Sequence, residues 1–362
     1  MADTIAATGL TVQQWDDQFF TEFLTENRFA GEMGTSENSI IQVKEDLTKK
    51  QGDSITYALV NRLTNDAVTG TNVLEGNEED MTSRSFRLYV DKRRNGVRIA
   101  EMNEQKSAIS LRTAARSVLK DWAMQDMETQ IIQAFGSING TNYASASEAD
   151  KDAWLVDNVL RVYDPSGTYG TDHSAMLAQL DTTADLLTAA DVSAMKYRAL
   201  TVANPKIRPI RSAENGRYYY VLYCHPAAFR DLKNEANSPI IAAQRETVKE
   251  MENNRLFQGG DLLWDGVIIK EIPRMYDLLT FTDVGASSAE VVPCFLTGAQ
   301  AIGYGVAKRW TSQTQEFDYG DKYGVATESI YGVKKMIFGS GAGDTDDTRD
   351  HGVMTGYFAT VL

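Results

Sequence analysis

Ser85-Phe86-Arg87-Leu88-Tyr89-Val90-Asp91 leads through Lys92-Arg93-Arg94-Asn95-Gly96 into Val97-Arg98-Ile99, and neither glycine nor proline then occurs before Gly136. This change of texture decides the fold. Before it, Phe86, Leu88 and Val90 alternate with other residues, the period that puts apolar side chains on one face of a strand. Ser54-Ile55-Thr56-Tyr57-Ala58-Leu59-Val60 is a second strand candidate in the same extended section, residues 45–100. Asn95-Gly96 reads as a tight turn ahead of a further strand. After it, residues 104–135 predict one long helix. Leu111, Ala115, Leu119, Ala123, Met127, Ile131 and Phe135 fall at four-residue steps. A helix turns in about 3.6 residues, so the stripe drifts around the cylinder. That suits a helix crossing several partners in turn, not a two-stranded coiled coil. Gly136 is the expected stop.

The extended section is also divided by charge. Asp66, Glu75, Glu78, Glu79 and Asp80 form an acidic limb with no base between the first and the last. Arg84, Arg87, Lys92, Arg93, Arg94 and Arg98 follow, opposed only by Asp91. The limbs can pair within one hairpin or with the same hairpin on another copy. The basic limb could also meet nucleic acid, but only Phe86 and Tyr89 are available for base stacking within it.

Working outward, Trp15, Phe19, Phe20 and Phe23 give one apolar helical face behind a Thr11 N-cap. That helix either docks on its own domain or reaches a neighbouring chain. Asp181–Leu200 predicts a second helix, ended by Pro205. From about 206 to 325 short strands dominate, among them Tyr218–Tyr223 and Gly266–Ile272, and His225-Pro226 starts a helix. Residues 290–308 read as buried strand and helix. The tail, Ser329–Leu362, carries two strand candidates around the flexible Gly339–Asp344 loop.

Composition narrows the function. The 362 residues carry 36 Lys plus Arg against 50 Asp plus Glu, a formal charge of −14, which disfavours a protein that coats nucleic acid. Two cysteines and three scattered histidines supply neither a disulfide framework nor a recognisable metal motif. No secretory signal or membrane span is expected. No nucleophile elbow and no Walker-type phosphate loop occurs. The glycine run at 339–343 leads into Asp344, Asp346 and Asp347, which would repel phosphate. Cys224-His225 could be a thiol beside its base, but neighbours at a strand end usually face opposite ways. We expect no catalytic, cofactor-binding or metal-binding residues, and therefore no enzyme.

Several segments together resemble one family. They are Lys49–Thr56, Leu74–Glu79, Leu256-Phe257-Gln258-Gly259, Trp264-Asp265-Gly266-Val267, Leu296–Ala301 (read as a small-residue helix start), Asp318-Tyr319-Gly320, Gly332-Val333-Lys334-Lys335 and Asp350-His351-Gly352-Val353. In order and spacing they are similar to the major capsid proteins of tailed phages with the Hong Kong 97-type fold, in the branch found in N-four-like coliphage relatives. The resemblance implies an α+β chain. Its parts would be an N-terminal arm (1–44), an extension loop (45–103), a peripheral domain with a spine helix (104–200 and 326–362) and an axial domain (201–325).

The same resemblance implies pentamers and hexamers of an icosahedral head around double-stranded DNA, held without sequence-specific binding. It places the chain in the virion capsid, assembled in the host bacterial cytoplasm. The implied partners are copies of itself, a separate scaffolding protein, a portal and a decoration protein, with no membrane. It favours Glu75, Glu78, Glu79, Asp80, Arg84, Arg87, Arg93, Arg94 and Arg98 as contacts between subunits. No lysine–asparagine–glutamate cross-linking trio is placed on this sequence. An encapsulin-like compartment shell and a soluble enzyme with an unrecognised site remain as alternatives.

Overall fold

A computed structural model describes residues 28–48, 52–60, 63, 65–81, 83–107, 110–211, 216–234, 262–339 and 348–361. The expected Trp15–Phe23 helix, the Leu256–Gly259 segment and most of the Gly339–Asp344 loop lie outside these residues. In chain order the strands are β1 (Met33–Gly34), β2 (Ile41–Lys44), β3 (Ser54–Val60), β4 (Ser83–Tyr89), β5 (Asp91–Ala100), β6 (Val162–Tyr163), β7 (Ile210–Arg211) and β8 (Tyr218–Cys224). They continue as β9 (Leu262–Trp264), β10 (Val267–Glu271), β11 (Glu290–Thr297), β12 (Ile302–Phe317), β13 (Lys322–Lys335), β14 (Ile337–Gly339), β15 (Thr348–Asp350) and β16 (Val353–Thr360). The helices used below are α1 (Glu101–Lys106), α2 (Leu111–Phe135), α3 (Glu148–Asp157), α4 (His173–Leu177), α5 (Ala189–Tyr197) and α6 (Pro226–Asn234).

The chain divides into two compact units. The larger holds Arg28–Asp91, Met127–Lys308 and Tyr331–Leu362. Its main sheet runs β6-β16-β11-β8-β10-β9, with β7 paired to β8. β11 lies antiparallel to both β16 and β8, while β8 and β10 are parallel. β11 and β16 are buried along almost their whole length, which is why they read as apolar runs rather than as alternation. Their residues divide between two cores. Val292, Cys294, Leu296, Met354 and Phe358 join Met195 of α5 and Phe229 of α6. Val291, Tyr357 and Ala359 join Trp154 of α3 and Leu177 of α4.

α3 and α5 each start with a reciprocal capping box, Ser147 with Asp150 and Thr188 with Asp191. The second helix therefore begins at Ala189, not at Asp181 as expected. The Asp181 carboxylate accepts the backbone N–H groups of Thr183 and Ala184 at 2.7 and 2.8 Å, holding a turn in competition with the helix.

Residues 296–301 do not begin a helix. β11 ends at Thr297 and the chain crosses to β12 through backbone bonds from Ala299 to Arg208, Gln300 to Ser39 and Ala301 to Ile40, at 2.8–2.9 Å. The small residues there allow backbones to approach. A Cβ on Gly298 would collide with the Arg208 carbonyl, and one on Gly352 would collide with Ala301.

The described part of the smaller unit is Lys92–Asp126 and Arg309–Ile330, without 108–109. The expected turn at Asn95-Gly96 is absent, and β5 runs straight through it. Gly96 serves a close approach instead. A Cβ there would lie 3.2 Å from Ala326 Cβ and 3.3 Å from the Val325 carbonyl oxygen. The expected single helix from 104 is likewise two helices. α1 ends where the Ser107 N–H turns back to Glu104, and α2 restarts where Ala114 N–H reaches the Ser110 carbonyl. An Arg112–Glu104 ion pair of 2.6 Å links the two helices. From Leu111 to Phe135 the expected stripe is buried or half-buried at every position.

Candidate assembly surface

The β3–β4 hairpin belongs to the larger unit and is rooted by alternation. Ile55, Tyr57 and Leu88 are buried with Met336 and Phe338. The Tyr57 hydroxyl reaches the carbonyls of Gln42 (3.2 Å) and Tyr304 (3.1 Å). Burial, then the nearby Asp46 charge, raises its pKa far above the usual phenol range. Beyond this root the polarity reverses. Val60, Leu63, Val73, Leu74 and Met81 are all more than half exposed. Large apolar side chains left in water on a projecting loop are characteristic of a surface that is covered in an assembly.

The sequence-derived candidates distribute as follows. Glu78 Oε2 accepts Gly76 N–H at 2.6 Å and Glu79 Oε2 accepts Asn65 N–H at 2.8 Å, so both shape the loop itself. Glu75 and Asp80 are exposed on it. Register places Arg84 opposite Leu59 and Arg87 opposite Thr56, with Arg87 exposed. In the smaller unit, Arg93 pairs with Asp126 at 2.8 Å, and Lys92 pairs with Glu328 at 2.8 Å. The Arg98 guanidinium stacks 4.4 Å over the Phe317 ring, and Arg94 is exposed. Arg93 and Lys92 thus have acidic partners in their own unit, on α2 and β13, which charge order along the chain gave no sign of.

Two turns named in the sequence present polar tips. Asp265 and Gly266 both have positive φ (46° and 71°) between antiparallel β9 and β10, and Lys196 Nζ holds Asp265 at 2.7 Å. Asp318, Tyr319 and Gly320 turn β12 into β13 with φ of 54°, 52° and 98°, leaving Tyr319 fully exposed.

Two other motif segments, at 332–335 and 350–353, meet in the core of the larger unit. Lys335 Nζ is 2.6 Å from Asp350 Oδ2, which also accepts the Trp154 indole N–H at 3.2 Å. Asp350 N–H donates to Asn158 Oδ1 at 2.9 Å. Arg161 donates to the carbonyls of Asp350, His351 and Pro205. Burial, followed by the charge of Arg161, lowers His351 to about 4. A second buried ion pair, Glu32–Lys270 at 2.6 Å, is completed by the Tyr223 hydroxyl donating to Glu32 at 2.7 Å. No linear signal announces either pair, since partners lie 15 and 238 residues apart.

The possible thiol–base neighbours point into different environments. Cys224 is buried in the α5/α6 core, where burial pushes its thiol up. His225 Nδ1 accepts Ala227 N–H at 3.2 Å and Nε2 lies 3.0 Å from Thr280 Oγ1. Among the described residues, no group of three or more His, Cys, Asp or Glu is arranged to hold a metal ion. No described helix is long and apolar enough to cross a membrane. The arrangement offers contact chemistry: an anchored hairpin with exposed apolar and charged loop residues.

A family model for phage capsid proteins matches residues 4–362. The major capsid protein of Pseudomonas phage KPP25 is 30% identical over 347 residues, covering 90% of this chain and 89% of the relative. The capsid asymmetric unit of cyanophage Pam1 superposes with a TM-score of 0.84 at 31% identity, covering 99% of both chains. The capsid of Ralstonia phage GP4 gives 0.79 at 21% identity over 100% and 99%, a likeness of fold.

Proposed function

The chain belongs to the phage capsid protein family and is a major capsid protein of a tailed phage, with the Hong Kong 97-type fold, and we propose that its copies close into pentamers and hexamers of an icosahedral head enclosing double-stranded DNA. The observation that carries the reading is the near-complete, end-to-end likeness to the Pam1 capsid subunit. In this proposal residues 1–44 are the arm and 45–103 the extension loop. Residues 104–200 with 326–362 form the peripheral domain, and 201–325 the axial domain. Rings from one chain need heterologous contacts that close about an axis. The same surfaces must then serve two slightly different angles, which favours long loops with a fixed root and a projecting tip.

Of the exposed members of the charge limbs, Glu75, Asp80, Arg87 and Arg94 are the contact residues we assign first, because Glu78 and Arg98 already make contacts within their own chain. Glu78 and Glu79 hold the geometry of their own loop, and Arg93 and Arg98 make contacts within the smaller unit. A net charge of −14 keeps the shell from adhering to its own packaged DNA. The reading includes assembly in the host cytoplasm with a separate scaffolding protein, a portal and a decoration protein. It assigns no catalysis to the chain. Size-exclusion chromatography with light scattering, followed by negative-stain imaging of the heaviest fraction, tests it. Rings or closed shells support the proposal. A discrete dimer or tetramer whose melting temperature rises with a small ligand would replace it with an enzyme reading.

A further inference from the structure

We propose that Cys224 and Cys294 form a latent cross-strand disulfide site in the main sheet, closed by a small peroxide oxidant and reopened by thiol reductants. The inference is independent of the capsid reading and rests on register. β8 and β11 are antiparallel, with Phe295 opposite Tyr223 and Leu296 opposite Leu222. The next step of the same ladder sets Cys294 opposite Cys224. Directly opposed residues of an antiparallel pair face the same side of the sheet with Cα atoms about 4.5–5.5 Å apart. A disulfide spans Cα separations of about 4.4–6.8 Å, so the backbone need not move to accept one.

The side chains agree with the ladder. Both sulfurs are free, both residues are buried, and both belong to the core that α5 and α6 cover. The Cys224 thiol is within hydrogen-bonding reach of Cys294. On the other side of Cys294, β16 contributes Gly356 in register. That position carries no side chain to crowd the sulfur.

The surroundings also set which oxidant can act. Bulky disulfides such as oxidised glutathione have no route to sulfurs at zero exposure. Burial holds the Cys224 thiol protonated, so the pair is slow to react and stays reduced in a reducing compartment. A small uncharged peroxide can enter when the sheet breathes. One thiol, losing its proton, attacks the O–O bond and becomes a sulfenic acid as water leaves. The second thiol then attacks that sulfur, the S–S bond forms, and a second water departs. Two thiols lose two electrons in all, and the peroxide gains them. The closed loop holds roughly 70 residues, a length at which a cross-link strongly restricts the unfolded chain.

The test incubates the full chain, as purified particles or subunits, with hydrogen peroxide. After quenching, the protein is unfolded in guanidinium with N-ethylmaleimide and mapped by peptide mass spectrometry. Untreated protein should carry the label on both cysteines. Oxidised protein should carry it on neither and yield a linked peptide pair containing Cys224 and Cys294, which dithiothreitol separates. Full labelling of both cysteines after oxidation overturns the proposal. So does loss of label through sulfinic acid without a linked pair, or a linkage between two chains on a non-reducing gel. As a second arm, Cys294→Ser after the same treatment should yield no linked peptide at Cys224. The wild-type map decides the matter if that variant fails to fold.

Discussion

Lys335 Nζ lies 2.6 Å from Asp350 Oδ2 with both side chains closed off from solvent, so two charges are held in the core of the larger unit by each other and by Trp154. Removing one partner strands the other. We predict that Lys335→Met lowers the unfolding free energy by about 3–5 kcal/mol, because the buried Asp350 carboxylate then loses the cation in direct contact with it. Lys335→Met with Asp350→Leu should lose clearly less than Lys335→Met alone. Urea denaturation of the subunit measures both. A single variant as stable as the parent would show that the pair contributes little.

Acid should destabilise the subunit through its buried histidines. Burial lowers His173, His225 and His351 to about 4 from the ordinary 6.5. Between those values the unfolded chain binds protons that the native chain refuses. Stability is therefore full above about pH 6.5 and declines toward pH 4, by up to ~1.4 kcal/mol per pH unit for each histidine. Glu128 and Asp164 oppose this, because burial raises their carboxyls and protonation favours their native state. The urea midpoint should fall from pH 7 to pH 5, and fall less in His351→Gln. An identical pH slope in that variant would remove His351 from the account.

The limits of β3 are legible in the sequence because Ile55 and Tyr57 alternate with exposed residues on a half-buried hairpin. The α2 stripe was visible because seven apolar positions repeat along one drifting face. Asn95-Gly96 misled because a glycine required by a neighbouring strand looks the same in sequence as one required by a turn. Ser107 and Ser110 interrupt the long helix with backbone turns that hydrophobic spacing cannot reveal. In the charged limbs, residue order along the chain shows the two signs but not that Arg93 is already matched by Asp126. The buried pairs Lys335–Asp350 and Glu32–Lys270 exist only after folding brings their strands together.

Glycine positions separate close packing from backbone strain. Gly332 faces the Tyr89 carbonyl so closely that a Cβ must displace the backbone. Gly332→Ala should therefore cost at least about 1–3 kcal/mol, with loss of soluble subunit. Gly320 has open space around it and only a φ of 98° to maintain, so Gly320→Ala should cost about 1–2 kcal/mol. Thermal melts of the two variants check that Gly332→Ala loses at least as much as Gly320→Ala. A larger loss at Gly320 would contradict it.

Arginine reversals should separate folding from assembly. Arg94→Glu alters an exposed side chain, so its subunit should melt as the parent does while closed-particle yield falls, since like charges brought together across an interface cost several kcal/mol. Arg93→Glu breaks the 2.8 Å pair with Asp126 and should lower subunit stability as well. Circular dichroism melts alongside particle counts distinguish the two. Normal particle yield from Arg94→Glu would take that residue out of the contact.

Cryo-electron microscopy of particles assembled from the chain is the decisive measurement. The account predicts closed shells whose rings contain five and six copies, with the exposed loop between β3 and β4 of each subunit lying over a neighbouring copy. Discrete dimers or tetramers as the largest ordered species, with that loop touching no other copy, would contradict it.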